Sequence, residues 1–173
     1  MLVTPETYKN HKEIPSMNRR SVLAVLALAG LTATLATAAA QPNFSGSWKM
    51  NANKSEFGPI PPPDKLERII KHEDPILNVN TLNVGPQGEI KSDSVYTTDG
   101  KESLNKTAGV EVKSVAAWDG DKLVIKYKRE VQGMEISFVE TWTLAADGKV
   151  LTVVNDLSTP QGDFKLTTVM DKQ

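Results

Sequence analysis

From Leu66 to its end the chain is a series of short runs of alternating apolar and polar side chains, with no stretch at the 3.6-residue spacing of a long amphipathic helix. Turn sequences separate the runs: Asp99-Gly100, Asp119-Gly120 and Asp147-Gly148, with Gly85-Pro86-Gln87-Gly88, Gln132-Gly133 and Pro160-Gln161-Gly162 among them. Asp-Gly suits a two-residue type I′ turn because both central residues take positive φ, so antiparallel neighbours are expected on either side. The pattern predicts strands near 66–73, 76–84, 89–97, 109–118, 122–131, 134–144, 149–157 and 163–171, and a further one through Trp48, about nine in all. Residues 101–108 are ambiguous and read as an extension of the Asp99-Gly100 hairpin.

The turns make the register testable. A two-residue loop at Gln132-Gly133 pairs Leu123 with Trp142, Tyr127 with Phe138 and Arg129 with Ile136. The same at Asp147-Gly148 pairs Leu144 with Leu151, Trp142 with Val153 and Phe138 with Leu157. Both hairpins then gather large apolar groups on one face and Lys126, Lys128, Glu135, Thr141, Thr143 and Thr152 on the other, an agreement that a one-residue slip destroys. Asp119-Gly120 extends the series, setting Ala116 against Leu123 and Val112 against Tyr127. Four strands therefore form one meander with a single buried face.

Such a meander must meet a second sheet or close on itself, and closure removes its edges. Strands joined by tight turns in sequence order favour closure, so the expected fold class is all-β, a single antiparallel up-and-down barrel over residues 41–173. One segment breaks the rhythm. Pro59-Ile60-Pro61-Pro62-Pro63 cannot join a ladder and reads as an extended, polyproline-like connection. It is either a stiff loop crossing the barrel surface or a recognition motif for a proline-binding partner.

The first forty residues change the picture of compartment. Met17-Asn18-Arg19-Arg20, the apolar run Ser21 to Leu35 and Ala38-Ala39-Ala40 follow the order of a cleavable signal peptide, with its core at 17–40 and cleavage after Ala40. The apolar run is short for a membrane span. Residues 1–16 are polar and precede the basic stretch, which leaves Met1 and Met17 both open as starts. Arg19-Arg20 keeps a twin-arginine route open beside the ordinary secretory one. The expected location is the periplasm or the exterior. The chain has no cysteine, so an exported domain of this kind stands on its packed core without disulfides, and nothing after the apolar run could carry a lipid.

Charge is balanced, with 20 basic and 21 acidic side chains. Glu6, Lys9, Lys12, Glu13, Arg19 and Arg20 fall in the leading segment, which leaves the barrel mildly acidic and argues against a nucleic-acid surface.

The opening motif Phe44-Ser45-Gly46-Ser47-Trp48-Lys49-Met50 resembles the Gly-x-Trp first strand of the calycins, the lipocalin and fatty-acid-binding superfamily. Trp118-Asp119-Gly120-Asp121-Lys122-Leu123 and Glu140-Thr141-Trp142-Thr143-Leu144 are similar to segments of exported bacterial lipocalin-like domains. The resemblance implies a barrel in which Gly46 and Trp48 are structural and close the base. It also has gaps. The lipocalin arginine over the motif tryptophan is missing, with only Lys165 or Lys172 near the end of the chain. The second lipocalin motif, the paired cysteines, the Arg-x-Tyr of the fatty-acid-binding branch and its helical lid are also missing.

Candidate chemistry lies on the inward face. The register directs Ser114, Tyr127, Arg129, Glu140 and Asn155 inward, and alternation adds Ser92, Ser94, Tyr96 and Thr168. An unpaired charge there is costly, so Glu140 between Phe138 and Trp142 points to a polar purpose. One reading is an amphipathic ligand site formed by Tyr96, Tyr127, Arg129, Phe138, Glu140, Trp142, Asn155 and Leu157, with Arg129 and Tyr127 on the ligand's polar head. The other has Arg129 in solvent at a strand end and Glu140 paired internally. Trp118 and Trp142 suit core packing as well as ligand contact. His72, the one histidine after residue 40, lacks metal partners and reads as a surface strand end. No Cys-His or Ser-His-Asp set can be assembled, so no catalytic residue, metal or cofactor is expected.

Three functional readings follow. The first is a monomeric exported barrel that binds a small hydrophobic or amphipathic molecule. The second is a filled barrel that contacts another envelope protein. The third is an enzyme acting on a small lipid or isoprenoid through Glu140.

Overall fold

A computed structural model describes residues 41–173 apart from Gln87, Ala108 and Gln132; the signal-peptide expectation falls outside the described residues. Ten strands are present among these residues: β1 (Gly46–Met50), β2 (Lys65–Glu73), β3 (Ile76–Gly85), β4 (Gly88–Thr97), β5 (Asp99–Thr107), β6 (Val110–Asp119), β7 (Lys122–Val131), β8 (Met134–Leu144), β9 (Val150–Thr159) and β10 (Gly162–Lys172). They form one sheet in the order β4-β3-β2-β1-β10-β9-β8-β7-β6-β5, an up-and-down barrel whose first and last strands pair. The strand beyond the expected nine is β5, in the segment left ambiguous by the sequence pattern.

The registers across β7, β8 and β9 match the hairpin argument pair for pair: Leu123 faces Trp142, Phe138 faces Leu157, and Glu140 lies between Ile125 and Asn155. The β8–β9 loop is wider than two residues, because Ala145 pairs with Val150 and its carbonyl also accepts from the Gly148 N–H at 2.8 Å, but the register is unchanged. At β6–β7 the expected pairs are corrected. Leu123 faces Trp118 rather than Ala116, and Tyr127 faces Ser114 rather than Val112, because Gly120, at φ 63°, takes the first loop position in place of Asp119. A two-residue slip keeps every side chain on its face, so the inward assignments survive.

Asp99-Gly100 also departs from expectation, since β4 and β5 share no ladder. Side chains close this seam. The Val95 N–H donates to Asn105 Oδ1 at 2.7 Å, Asn105 Nδ2 donates to the Val95 carbonyl at 3.0 Å, and the Thr97 N–H donates to Ser103 Oγ at 3.1 Å. Asn105 thus uses one carboxamide as a substitute for a stretch of missing strand pairing. Asn105→Ala removes both of its bonds and leaves the Val95 amide unpaired, at an expected cost of about 1–3 kcal/mol. Hydrogen exchange at Val95 should accelerate; unchanged protection there contradicts this account of the seam.

One end of the barrel is solid. Phe44, Trp48, Leu77, Leu123, Leu151 and Met170 are each no more than 1% exposed. Trp48 Nε1 donates to the Phe44 carbonyl at 2.9 Å, which fixes the chain just ahead of β1 over the core. Lys172 Nζ lies 5.3 Å from the Trp48 ring centroid, so a lysine occupies the place left by the arginine of the resembled family. Gly46 makes this close approach possible: its φ is 145°, and a Cβ there would come within 2.6 Å of Lys172 Cε.

β1 ends at Met50, opposite Met170, so β10 continues toward the other end of the barrel without it. The connector takes over. After a 3-10 turn at Ala52–Lys54, Glu56 exchanges two 2.7 Å backbone hydrogen bonds with Thr167 before the exposed proline run begins.

Candidate ligand cavity

The inward face changes character along the barrel. Toward the solid end it carries Leu, Ile, Trp and Met. Toward the other end β3, β4, β5 and β6 turn in Thr81, Asn83, Ser92, Ser94, Thr107 and Ser114, side chains too short to meet across the interior. They leave a cavity of about 270 Å³, just under the usual size range of ligand pockets. Val79, Ile90, Val112 and Trp142 supply its apolar wall, and Tyr96, Tyr127, Asn105, Arg68, Arg129 and Glu140 complete it.

Arg68 and Glu140 form the charged centre. β8 places Glu140 inward between Phe138 and Trp142, as alternation requires. Its carboxylate is held by neutral donors: Tyr127 Oη donates to Oε1 at 3.0 Å, Asn155 Nδ2 to the same oxygen at 3.4 Å, and Trp142 Nε1 to Oε2 at 2.9 Å. Arg68 reaches in from β2, its Cζ 5.0 Å from the Trp142 ring centroid and Nη2 3.9 Å from Glu140 Oε2. Arg68 Nε and Nη1 are buried without a hydrogen-bond partner, as is Asn155 Oδ1. Burial, and then the Glu140 charge, pushes the Tyr127 and Tyr96 phenols above their ordinary value, so both remain proton donors.

The residues expected from the sequence divide into two groups. Tyr96, Tyr127, Arg129, Glu140 and Trp142 line the cavity. Phe138, Asn155 and Leu157 do not. Phe138 stacks on Tyr127, with centroids 4.8 Å apart, Leu157 is buried opposite Phe138 in the β8–β9 ladder, and Asn155 supports Glu140 from β9. Arg129 is at the rim, exposed, with its guanidinium 4.9 Å from the Phe138 ring centroid. Arg68 was missed, although Leu66, Ile70 and His72 alternate with it and all three are buried. Ile69, 55% exposed, hid that pattern by putting an apolar side chain on the outer face.

His72 is not the surface strand end expected from its sequence neighbours. It is buried at the solid end, with ring centroids 5.7 Å from Phe44 and 5.9 Å from Trp118. Nδ1 accepts the Phe44 N–H at 3.3 Å, which assigns the neutral ring with its proton on Nε2, 3.6 Å from Asp74 Oδ1. Burial lowers the His72 pKa from 6.5 and outweighs the raising effect of Asp74. A histidine whose folded pKa is depressed contributes stability fully above its unfolded value, and that contribution is lost as pH falls through the folded value. The chain is therefore expected to weaken on acidification below about pH 6.5, with the Asp74 carboxylate, lowered chiefly by the Thr98 hydroxyl, adding a second loss below about 3.8. NMR titration of the His72 ring should give a midpoint below 6.5; a midpoint at or above that value contradicts the assignment.

No protein-family model matches the chain, and no curated protein matches it. Solved structures do. The secretory abundant heat soluble protein 4 of Ramazzottius varieornatus matches at a TM-score of 0.51 and 20% identity, over 76% of this chain and 95% of that one. A second secretory abundant heat soluble protein of the same species gives 0.55 and 15%, over 77% and 98%. Zebrafish ileal bile acid-binding protein, in complex with cholic acid, gives 0.51 and 20%, over 75% and 98%. These likenesses establish the fold: the chain is an all-β, calycin-like antiparallel barrel. Among the described residues no helix is long and apolar enough to cross a membrane.

Proposed function

We propose that this chain is an exported, monomeric calycin-like barrel that binds a small amphipathic molecule in its internal cavity. The observation that carries the reading is the cavity of about 270 Å³ with the Arg68–Glu140 pair in its wall. A barrel serving only as a scaffold gains nothing from this arrangement, because burying charge beside empty volume sacrifices both desolvation and packing. In the proposal Tyr96, Tyr127, Glu140 and Trp142 contact the ligand and Arg129 meets it at the rim. Phe138, Asn155 and Leu157 hold those side chains in place. The cholic acid complex of the zebrafish neighbour supports an amphipathic ligand by analogy of fold. The signal-like residues 17–40 support a periplasmic or secreted location.

Native mass spectrometry of the protein isolated from its own compartment tests the reading directly. A co-purifying small molecule is the expected result. Delipidated protein whose tryptophan fluorescence responds to no member of a lipid, fatty-acid and pigment panel overturns it.

A second reading has one observation of its own. The proline run is exposed from Pro59 to Pro62, Ile60 being 38% exposed, and so is open to a partner protein. Deleting residues 59–63 should abolish capture of an envelope partner without unfolding the barrel if that surface is the functional one; unchanged capture ends the idea. The reading as an enzyme through Glu140 is weakened by the three donors already engaging its two oxygens.

A further inference from the structure

We infer that the cavity selects a ligand whose head is neutral and accepts hydrogen bonds, such as a carboxamide, over a carboxylate or an ammonium on the same tail. The inference rests on the proposed ligand-binding reading and adds the chemical class of the head group.

The donors left unfilled define the need. Arg68 Nε and Nη1 are buried, adjoin the cavity and find no acceptor on the chain, so a ligand head that accepts hydrogen bonds is matched to them. A cationic head supplies none and faces the Arg68 charge. Nor does Glu140 call for a cation, because Tyr127, Asn155 and Trp142 already donate to its two oxygens.

Charge decides between the remaining heads. Arg68 and Glu140 approach within 3.9 Å and offset each other, so the buried part of the cavity wall carries no net charge and Arg129 at the rim is the remaining cation. A carboxylate on the free edge of Arg68 would add a third charge, be drawn to the guanidinium and be repelled by Glu140. It would also lose its own hydration, and a half-compensated cation does not restore that. A carbonyl oxygen accepts from the same N–H groups with a far smaller desolvation cost. Arg129 does not restore the balance, since it is exposed at the rim, where solvent and salt screen it.

Octanamide, octanoate and octylammonium, titrated calorimetrically into delipidated protein near neutral pH, test this on one tail. Octanamide is expected to bind at least about tenfold more tightly than octanoate, a difference of about 1.4 kcal/mol, and octylammonium most weakly. Glu140→Gln removes the opposing charge and should strengthen octanoate by about tenfold, closing or reversing the gap. Octanoate equal to or tighter than octanamide on the unaltered protein overturns the inference and leaves the ligand-binding reading standing. Octylammonium binding most tightly does the same. If none of the three binds, and the protein isolated from its own compartment carries no small molecule, the ligand-binding reading falls and the inference with it. The comparison on the unaltered protein decides the matter even if Glu140→Gln fails to fold.

Discussion

Trp48→Ala is expected to lower the unfolding free energy by about 3–5 kcal/mol, the usual cost of truncating a large aromatic side chain in a closed core. Trp48 is 1% exposed and belongs to the cluster that fills the solid end with Phe44, Leu151 and Met170. Its loss opens a cavity bounded by paired strands on both sides, which cannot collapse without breaking ladders. It also frees the Phe44 carbonyl, which accepts from Trp48 Nε1. Urea denaturation followed by the remaining tryptophans measures the change. Lys172→Ala is the companion variant: it removes only the cation over the ring, worth about 0.5–1 kcal/mol at an exposed site. Equal costs for the two variants contradict a structural role for the buried ring.

Arg68→Met should be almost as damaging. Removing one partner of a buried ion pair typically costs about 3–5 kcal/mol, because the charge left behind has lost its compensation. The lower part of that range is expected here, since three neutral donors still hold the Glu140 carboxylate and the pair is separated by 3.9 Å. Adding Glu140→Gln removes the stranded charge, so the double variant should be more stable than Arg68→Met alone. A coupling energy of about 1–3 kcal/mol in the double-mutant cycle is expected. Strictly additive effects show that the two side chains do not sense each other. The same variant strips the cavity of its unfilled donors, so octanamide binding should fall with it.

The two variants probe parts of the molecule that differed in how plainly the sequence announced them. The meander from Lys122 to Leu157 was legible because its large apolar residues all share one face, and any odd slip would have put Trp142 or Phe138 in water. The Asp119-Gly120 turn was misplaced by one position, which slips the pairing by two without consequence for the faces, since parity alone decides which side a residue takes. β5 was obscured because its apolar residue, Leu104, is 58% exposed while polar Ser103 and Asn105 are buried. Hydropathy is inverted there because those buried groups serve the seam to β4 and not the core. Arg68 was obscured by the same inversion, with Ile69 outside it. The polar lining of the cavity was partly legible in Ser92, Ser94 and Ser114, but the volume they leave depends on side chains from several strands meeting or failing to meet. His72 was misread because Lys71, Glu73 and Asp74 are exposed neighbours, and the groups that cover it, Phe44 from ahead of β1 and Trp118 from β6, are distant in sequence.

The pairing of β1 with β10 has a kinetic side. Trp48 sits against Lys172, and the Gln173 N–H donates to the Ser47 carbonyl at 2.9 Å, so the sheet is sealed by residues from the two ends of the domain. Contacts of such sequence separation are entropically costly to form and come late to be rewarded. A chain still being synthesised holds every ladder from β2 to β9 in prospect but lacks the strand on which β1 must close. The barrel therefore closes only once β10 is available to β1, however early the local hairpins between them have formed.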